Sequence, residues 1–158
     1  MSSTLKKVAK EYPVVLVHGP RQSGKTTICR AVFTDKPYVS MENPDTRSRA
    51  LEDPRGFLAV FPNGVILDEI QRTPNLLSYM QQIVDEKKQN GFFILTGSDN
   101  FSLQQITSQS LAGRIALLTL LPFSMKEIKS ETWLTGTDKR ILYGGILVDE
   151  EKLRFDFT

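Results

Sequence analysis

The stretch of sequence that decides the fold is Gly19-Pro20-Arg21-Gln22-Ser23-Gly24-Lys25-Thr26-Thr27. Its first eight residues fit the Walker A pattern G-x-x-x-x-G-K-[ST], in which glycines let backbone N–H groups curl around a phosphate. In such a loop Lys25 supplies a point charge to the β- and γ-phosphates, and Thr26 offers a hydroxyl to Mg²⁺. A chain of average composition and this length matches by chance in fewer than about 1% of cases. Residues 19–27 are therefore predicted to form a nucleotide-binding phosphate loop (P-loop).

The residues on either side of this loop have the composition of a strand and of a helix. Residues 14–17 read Val-Val-Leu-Val, a short apolar run that predicts a buried strand. Residues 24–33 have helical composition, with Ile28, Ala31 and Val32 spaced to face a core. A helix that begins at the loop adds its positive amino-terminal end to the anion site. The order strand, loop, helix is the context that the pattern requires.

Strands and helices continue to alternate as far as residue 121. Four more strands are predicted, at residues 38–41, 65–67, 92–96 and 115–121. Three more helical segments are predicted, at residues 44–61, 76–88 and 101–111. The segment 44–61 is expected to break near Asp53-Pro54, because the residue before a proline avoids helical geometry. From residue 129 onward the pattern weakens to little more than a turn at residues 143–145. The alternation predicts an α/β fold, in which a parallel sheet is covered on both faces.

The composition excludes several classes of protein. Hydrophobic residues make up 40% and charged residues 24% of the 158 positions, which fits one globular domain and excludes disorder, collagen and coiled coil. A net charge of +2 is too balanced to predict nucleic-acid or membrane binding by charge alone. The most apolar stretch, residues 115–123, is far shorter than the roughly 20 residues of a membrane span. Cys29 is the one cysteine, which excludes an internal disulfide and fits a reducing cytoplasm.

Two carboxylates, Asp68 and Glu69, follow the strand predicted at residues 65–67. In P-loop ATPases an aspartate at this strand end holds Mg²⁺ through water (the Walker B position), and an adjacent glutamate activates the water that attacks the γ-phosphate. The alternative, two solvated acids at a strand end, is weakened by the P-loop that precedes them. We therefore expect Asp68 to order the metal and Glu69 to act as general base. The pair also favours hydrolysis over phosphoryl transfer to a small acceptor.

The strand predicted at residues 92–96 leads into polar residues that suit a sensor of the γ-phosphate. Ser98 is the first candidate for this role, with Thr96 and Asn100 behind it. An ordinary turn at Gly97-Ser98 explains the same residues and stays open as an alternative.

Arg114 is the candidate for an arginine finger, because it precedes the last predicted strand at a position from which it can reach a neighbouring subunit. A salt bridge at the start of a strand is the alternative. Cys29 is expected to be a small buried residue rather than a nucleophile. His18 has no cysteine or second histidine as a partner and is expected to be structural.

Five motifs occur together in an order known from one family. They are residues 19–27, Leu67-Asp68-Glu69-Ile70-Gln71, Leu95-Thr96-Gly97-Ser98, Ser110-Leu111-Ala112-Gly113-Arg114, and Leu121-Pro122-Phe123-Ser124 with Glu127. Over about residues 5–128 the chain resembles the prokaryotic AAA+-like ATPases whose P-loop domain precedes a carboxyl-terminal domain of unknown function. Glu42-Asn43-Pro44-Asp45 with Arg47 resembles the acidic segment of that family after its second strand.

The resemblance implies an additional-strand (RecA/AAA-like) P-loop core with strand order 5-1-4-3-2, ATP and Mg²⁺ as ligands, and a bacterial or archaeal source. Residues 1–128 are expected to be the ATPase core and residues 129–158 the start of a lid or linker, because members of the family continue well beyond Gly144-Gly145. A homo-oligomer through AAA-like contacts is also implied. Because the family completes its site with a lid and a neighbour's arginine, these 158 residues are expected to bind nucleotide and hydrolyse it slowly. No substrate or process is implied.

Two other functions fit parts of the sequence. A small-molecule kinase needs an acceptor pocket and an arginine-rich lid, for which the tail offers little beyond Lys139 and Arg140. A nucleotide-gated binding module with little turnover, acting through a partner such as DNA, needs neither. ATP hydrolysis is the preferred interpretation, with the binding module as its main alternative.

Overall fold

The computed structural model describes residues 2–98, 110–122, 140–143 and 146–149, the last two segments through their backbone. The helices are α1 (Ser2–Glu11), α2 (Lys25–Val32), α3 (Pro44–Glu52), α4 (Pro54–Ala59) and α5 (Leu76–Lys87), with a 3₁₀ turn at Ile70–Arg72. The strands are β1 (Val14–Gly19), β2 (Tyr38–Ser40), β3 (Val65–Asp68), β4 (Phe93–Ser98), β5 (Ile115–Thr119), β6 (Arg140–Tyr143) and β7 (Ile146–Asp149).

The five strands β1 to β5 form one parallel sheet in the order β2-β3-β4-β1-β5. This is the predicted order 5-1-4-3-2 read from the other side, and it confirms the predicted fold. Gly19 of β1 lies opposite Ser98 of β4, and Ser40 of β2 lies opposite Asp68 of β3. The carboxyl ends of four strands therefore meet at one edge of the sheet, where α/β proteins place their ligands.

Helices cover both faces of this sheet. Successive residues of a strand point to opposite faces, and the buried strands are apolar at successive positions, so both faces need cover. One apolar cluster joins alternate residues of β1, β3 and β4 to α4 and α5. The other joins the remaining residues of the same strands to α1 and α2, and includes Leu5, Ala9 and Cys29. The two clusters hold β1 from both faces of the sheet, and the second cluster also holds α2, so both elements that flank the P-loop are anchored in the core.

The boundary between α3 and α4 falls where the sequence predicted it. Asp53 ends α3, and its carboxylate accepts a hydrogen bond of 2.9 Å from the backbone N–H of Gly56 in α4. One residue therefore ends α3 through its backbone and caps α4 through its side chain.

The main departures from the sequence prediction concern α1, β5 and the strand pair β6 and β7. Helix α1 was not predicted, although Leu5, Val8 and Ala9 have helical spacing and Leu5 is buried. Strand β5 ends at Thr119, two residues early, and β6 pairs antiparallel with β7 in a tail for which no strand was predicted. The helix predicted at residues 101–111 lies outside the described residues except for its last two positions. Within the described part of the chain, no helix is both long and apolar enough to cross a membrane.

Candidate functional site

The loop between β1 and α2 has a backbone that demands glycine at its start. Gly19 has a φ of +150°, and a Cβ there would lie 2.1 Å from the carbonyl oxygen of Leu120. Gln22 and Gly24 both have positive φ, at 62° and 86°. Left-handed residues of this kind turn successive N–H groups inward, as in the anion-binding nests of P-loops. Four side chains of the loop are exposed: Pro20, Arg21, Gln22 and Thr27.

The ammonium group of Lys25 lies inside this loop. Its Nζ donates to the carbonyl oxygens of Gly19 at 3.0 Å and Pro20 at 2.6 Å, and to the Ser23 hydroxyl at 3.5 Å. Lys25 is 6% exposed, so the charge is shielded from bulk water. A positive charge at the amino terminus of α2 reinforces the attraction of that helix end for an anion.

The carboxylate of Asp68 accepts hydrogen bonds from three hydroxyl groups at the end of β3. Thr26 donates to Oδ1 at 2.8 Å, Thr96 donates to the same oxygen, and Tyr38 donates to Oδ2 at 2.8 Å. Asp68 is 8% exposed, which makes this network a largely buried one. Carboxylate and hydroxyl oxygens are hard ligands that suit Mg²⁺. The donor set formed by Thr26 and Asp68 therefore fits the ion that the P-loop implies.

Glu69 and Ser98 are joined by a residue to which the sequence assigned no role. The Gln71 amide Nε2 donates to Ser98 Oγ at 2.9 Å and also to Glu69 Oε2. The backbone of Glu69 has a φ of 57°, a left-handed conformation that is costly for a residue with a side chain. The buried Ile70 that follows holds the 3₁₀ turn against the core and keeps Glu69 in place. Among the described residues, Gln71 Oε1 is a buried oxygen without a hydrogen-bond partner.

Burial sets the protonation of two groups next to this network. Burial, with the negative charge of Asp68 as the second cause, raises the pKa of the Cys29 thiol to about 12. This thiol is therefore protonated and inert at neutral pH. Burial and the hydrogen bond to Asp68 raise the pKa of Tyr38, so its hydroxyl keeps the proton that it donates.

The structure brings most of the predicted site residues together at the carboxyl-terminal edge of the sheet. Lys25, Thr26, Asp68, Glu69 and Ser98 all lie there, on α2 or at the ends of β3 and β4. Asn100, a weaker sensor candidate, lies outside the described residues.

Arg114 lies elsewhere, at the amino-terminal end of β5. Its carbonyl oxygen accepts from the N–H of Val14, the first residue of β1, and thus lies at the edge opposite the P-loop. Its guanidinium donates to both carboxylate oxygens of Asp85, with Nη2 at 2.9 Å from Oδ2, and this hydrogen bond lowers the pKa of Asp85. Within the chain Arg114 thus forms an ion pair, and the arginine finger stays a prediction about a second subunit.

Sequence reasoning missed Tyr38 and Gln71, and it considered Thr96 only as a sensor. Gln71 stands two positions after Glu69 in the family motif of residues 67–71, so its position was a usable signal. Tyr38 gave none, because its contact with Asp68 depends on β2 and β3 being neighbours. His18 is buried beside the loop, with Nε2 3.0 Å from the Thr119 hydroxyl, and links β1 to β5.

Comparisons with known proteins agree with this geometry. A family model described as an AAA domain matches residues 11–129. The chain is 34% identical over 141 residues to uncharacterized proteins of Mycobacterium tuberculosis (Rv2008c) and Mycobacterium bovis (Mb2031c). These alignments cover 85% of this chain and 32% of each relative, so the chain spans about a third of their length.

A solved structure has the same fold. It is the Walker-type ATPase PABY2304 of Pyrococcus abyssi, matched with a TM-score of 0.53 at 18% sequence identity. The match covers 80% of this chain and 53% of that one. At this identity the likeness shows the P-loop fold alone.

Proposed function

Because the chain belongs to the AAA domain family, we propose that it binds ATP together with Mg²⁺ and hydrolyses the nucleotide. The observation that supports this most is the 2.8 Å hydrogen bond from Thr26 Oγ1 to Asp68 Oδ1. It joins two residues that are 42 positions apart in sequence and that come from α2 and from the end of β3. A hydroxyl and a carboxylate in this relation, beside a P-loop lysine, are the residue types that P-loop enzymes use for Mg²⁺.

Nucleotide binding is assigned to residues 19–27. The inward-turned backbone and the amino terminus of α2 provide N–H donors for phosphate oxygens. Lys25 provides the charge for the β- and γ-phosphates, a role that its buried position in the loop supports. On nucleotide binding the ammonium exchanges the loop carbonyls for phosphate oxygens, which are stronger acceptors because they are charged.

Mg²⁺ is assigned to Thr26 as a direct ligand and to Asp68 through water. When bound, the ion neutralises charge on the phosphates during transfer. Asp68 fits the second role because its carboxylate is held by hydroxyl donors and retains acceptor capacity for a water.

Glu69 is assigned as the general base. Its carboxylate accepts a proton from the water that attacks the γ-phosphate in line with the leaving group, and the products are ADP and phosphate. The Gln71 amide donates one hydrogen bond to this carboxylate and another to the hydroxyl of Ser98. These two bonds support a fixed relation between the proposed base and the proposed sensor.

The replacement Glu69→Gln tests the chemistry. The amide keeps the shape of the side chain but accepts no proton, so ATP binding is expected to persist and phosphate release to fall by about 10²-fold or more. Glu86→Gln is the matched control, because Glu86 is an exposed glutamate of α5 that also accepts from a glutamine.

Phosphate release and equilibrium ATP binding are measured for the parent and both variants, with and without added DNA. Equal rates for the parent and Glu69→Gln would remove Glu69 as the base. A parent that binds ATP and releases no phosphate under any of these conditions would favour the binding module over the ATPase.

A further inference from the structure

We propose that Tyr38 is a positioning residue for Mg²⁺, which fixes the carboxylate of Asp68 while Arg30 holds the tyrosine ring in place. This inference rests on the proposed function, because it assigns to Tyr38 an effect on the ion that accompanies ATP. It concerns a residue on β2, outside the P-loop and outside the strand that carries the acidic pair.

The backbone places Tyr38 where its hydroxyl reaches Asp68. Strand β2 pairs in parallel with β3, and Tyr38 lies opposite Ile66, two positions before Asp68. From this register the tyrosine side chain extends along the neighbouring strand, and its hydroxyl donates to Asp68 Oδ2 at 2.8 Å. Thr26 and Thr96 donate to the other oxygen, Oδ1. Hydrogen bonds therefore hold both carboxylate oxygens, and rotation of the carboxylate breaks at least one of them.

Arg30 connects this arrangement to the P-loop helix. Its guanidinium carbon lies 4.8 Å from the centroid of the Tyr38 ring, within the range of a cation–π interaction. Arg30 is four residues after Thr26 on α2, so the two side chains share a face of that helix. One turn of α2 thus contacts Asp68 directly through Thr26 and indirectly through Arg30 and Tyr38. The hydroxyl assigned to Mg²⁺ and the carboxylate assigned to its water are held relative to one another.

The direction of the hydrogen bond supports the role of Tyr38 as donor. A carboxylate oxygen accepts and a tyrosine hydroxyl can donate, so Tyr38 is the donor and Asp68 Oδ2 the acceptor. The hydroxyl thus holds one carboxylate oxygen in place while the carboxylate retains lone pairs that can accept from a water.

Removal of such an outer partner weakens metal affinity, typically by 10–100-fold. Tyr38 is only partly buried, and Thr26 and Thr96 remain to hold Oδ1, so the effect is expected at the low end of this range. We expect Tyr38→Phe to raise the Mg²⁺ concentration for half-maximal ATP binding by about tenfold. Arg30→Ala is expected to shift it in the same direction by a smaller factor, because the tyrosine hydroxyl remains.

The experiment is a Mg²⁺ titration of ATP binding by the full 158-residue chain, with a fluorescent ATP analogue as the probe and a parallel series in EDTA. Tyr38→Phe keeps the ring and the edge strand, so it removes one hydroxyl alone. Tyr79→Phe is the matched control, because Tyr79 on α5 also carries an arginine over its ring, Arg55 at 5.9 Å, away from the P-loop edge. The expected result is a shifted Mg²⁺ midpoint for Tyr38→Phe, an unchanged midpoint for Tyr79→Phe, and equal affinities of all three proteins for the nucleotide in EDTA.

Three other results of the Mg²⁺ titration would contradict the inference. A Mg²⁺ midpoint that is the same for Tyr38→Phe and the parent overturns the inference and leaves the proposed function intact. A loss of nucleotide affinity that is equal with and without Mg²⁺ assigns Tyr38 a structural role and also overturns it. A parent that binds no nucleotide at any Mg²⁺ concentration overturns the proposed function together with the inference.

Discussion

At the scale of single residues, Gln71 connects the proposed base to the proposed sensor. Its amide nitrogen has two hydrogens, and the structure directs one to Glu69 and the other to Ser98. If Glu69 is the base, as proposed, the direction of its side chain decides whether it reaches the attacking water, and its left-handed backbone alone does not fix that direction. We therefore assign Gln71 to the orientation of Glu69 rather than to nucleotide binding.

Gln71→Met removes the donor and keeps the length of the side chain. Loss of a hydrogen bond to a charged group costs about 1.5–3 kcal/mol, so we predict at least a tenfold fall in kcat with little change in ATP affinity. Gln82→Met is the control, since Gln82 also donates to a glutamate but lies on the exposed face of α5. Phosphate release and ATP titration check this prediction. If Gln71→Met weakens ATP binding while kcat stays at the parent value, Gln71 acts on binding and this assignment is wrong.

The double variant with Glu69→Gln and Gln71→Met tests whether Gln71 acts through Glu69. If Gln71 acts through Glu69, Gln71→Met has no further effect on phosphate release once Glu69→Gln is present. A further tenfold loss in that background would show that Gln71 acts independently of the base.

At the scale of elements, α3 depends on its amino-terminal cap. The Asn43 side chain accepts from the N–H groups of Asp45 at 2.9 Å and Thr46 at 3.2 Å, and Pro44 occupies the first helical turn. Asn43→Ala leaves these donors without that partner, and we predict a loss of about 1 kcal/mol in the free energy of unfolding. Asn43→Asp keeps a capping oxygen and is expected to unfold close to the parent midpoint. Urea denaturation measures both, and equal losses for Ala and Asp would contradict the capping role.

Helix α2 carries a thiol whose titration opposes folding. Burial penalises the thiolate and raises the pKa of Cys29 from 9.0 to about 12 in the folded chain. A raised pKa contributes stability that is present below pH 9 and is lost as the pH rises toward 12. We predict that stability falls with pH across this window and that Cys29→Ala makes the fall shallower, although the cavity lowers stability overall. Denaturant midpoints at pH 8, 9 and 10 check this, and parallel slopes for parent and variant would contradict it.

The sequence predicted the elements around the P-loop well, for a physical reason. Short apolar runs such as residues 14–17 and 65–67 have few alternatives to a buried strand, and the glycines and lysine of the loop have one common use. Helix α1 was missed because its apolar positions are few and its remaining surface is polar. The hydrogen bond from Tyr38 to Asp68 could not be predicted from local patterns, because it depends on which strands are neighbours. The predicted strand order came from the resemblance, and no side-chain contact followed from it.

At the scale of the whole molecule, the position of Arg114 bears on whether copies of the chain assemble. It lies at the edge opposite the P-loop, in an ion pair with Asp85, and any contact it makes with a γ-phosphate therefore requires a second copy of the chain. We predict that specific activity rises with protein concentration across a hundredfold dilution series. A finger contributes about 10³–10⁵ in rate, so even a small assembled fraction is measurable.

Two variants separate the finger from the ion pair. Arg114→Ala is expected to remove the concentration dependence without weakening ATP binding, whereas Asp85→Asn is expected to retain it, because the arginine is still present. Both variants break the same ion pair, so any loss of stability is shared between them. A specific activity that is flat across the series, and equal in all three proteins, would leave Arg114 a structural residue.

The central claim is that residues 19–27 bind Mg-ATP, and a calorimetric titration of the parent and Lys25→Ala tests it most directly. The replacement removes a buried ammonium held by loop oxygens, so unfolding midpoints are recorded alongside to establish that the fold persists. Lys7→Ala, which replaces an exposed lysine of α1, controls for the loss of one positive charge. We predict binding by the parent and Lys7→Ala and no detectable binding by a folded Lys25→Ala. Equal ATP affinity in all three proteins would contradict the assignment of this loop as the nucleotide site.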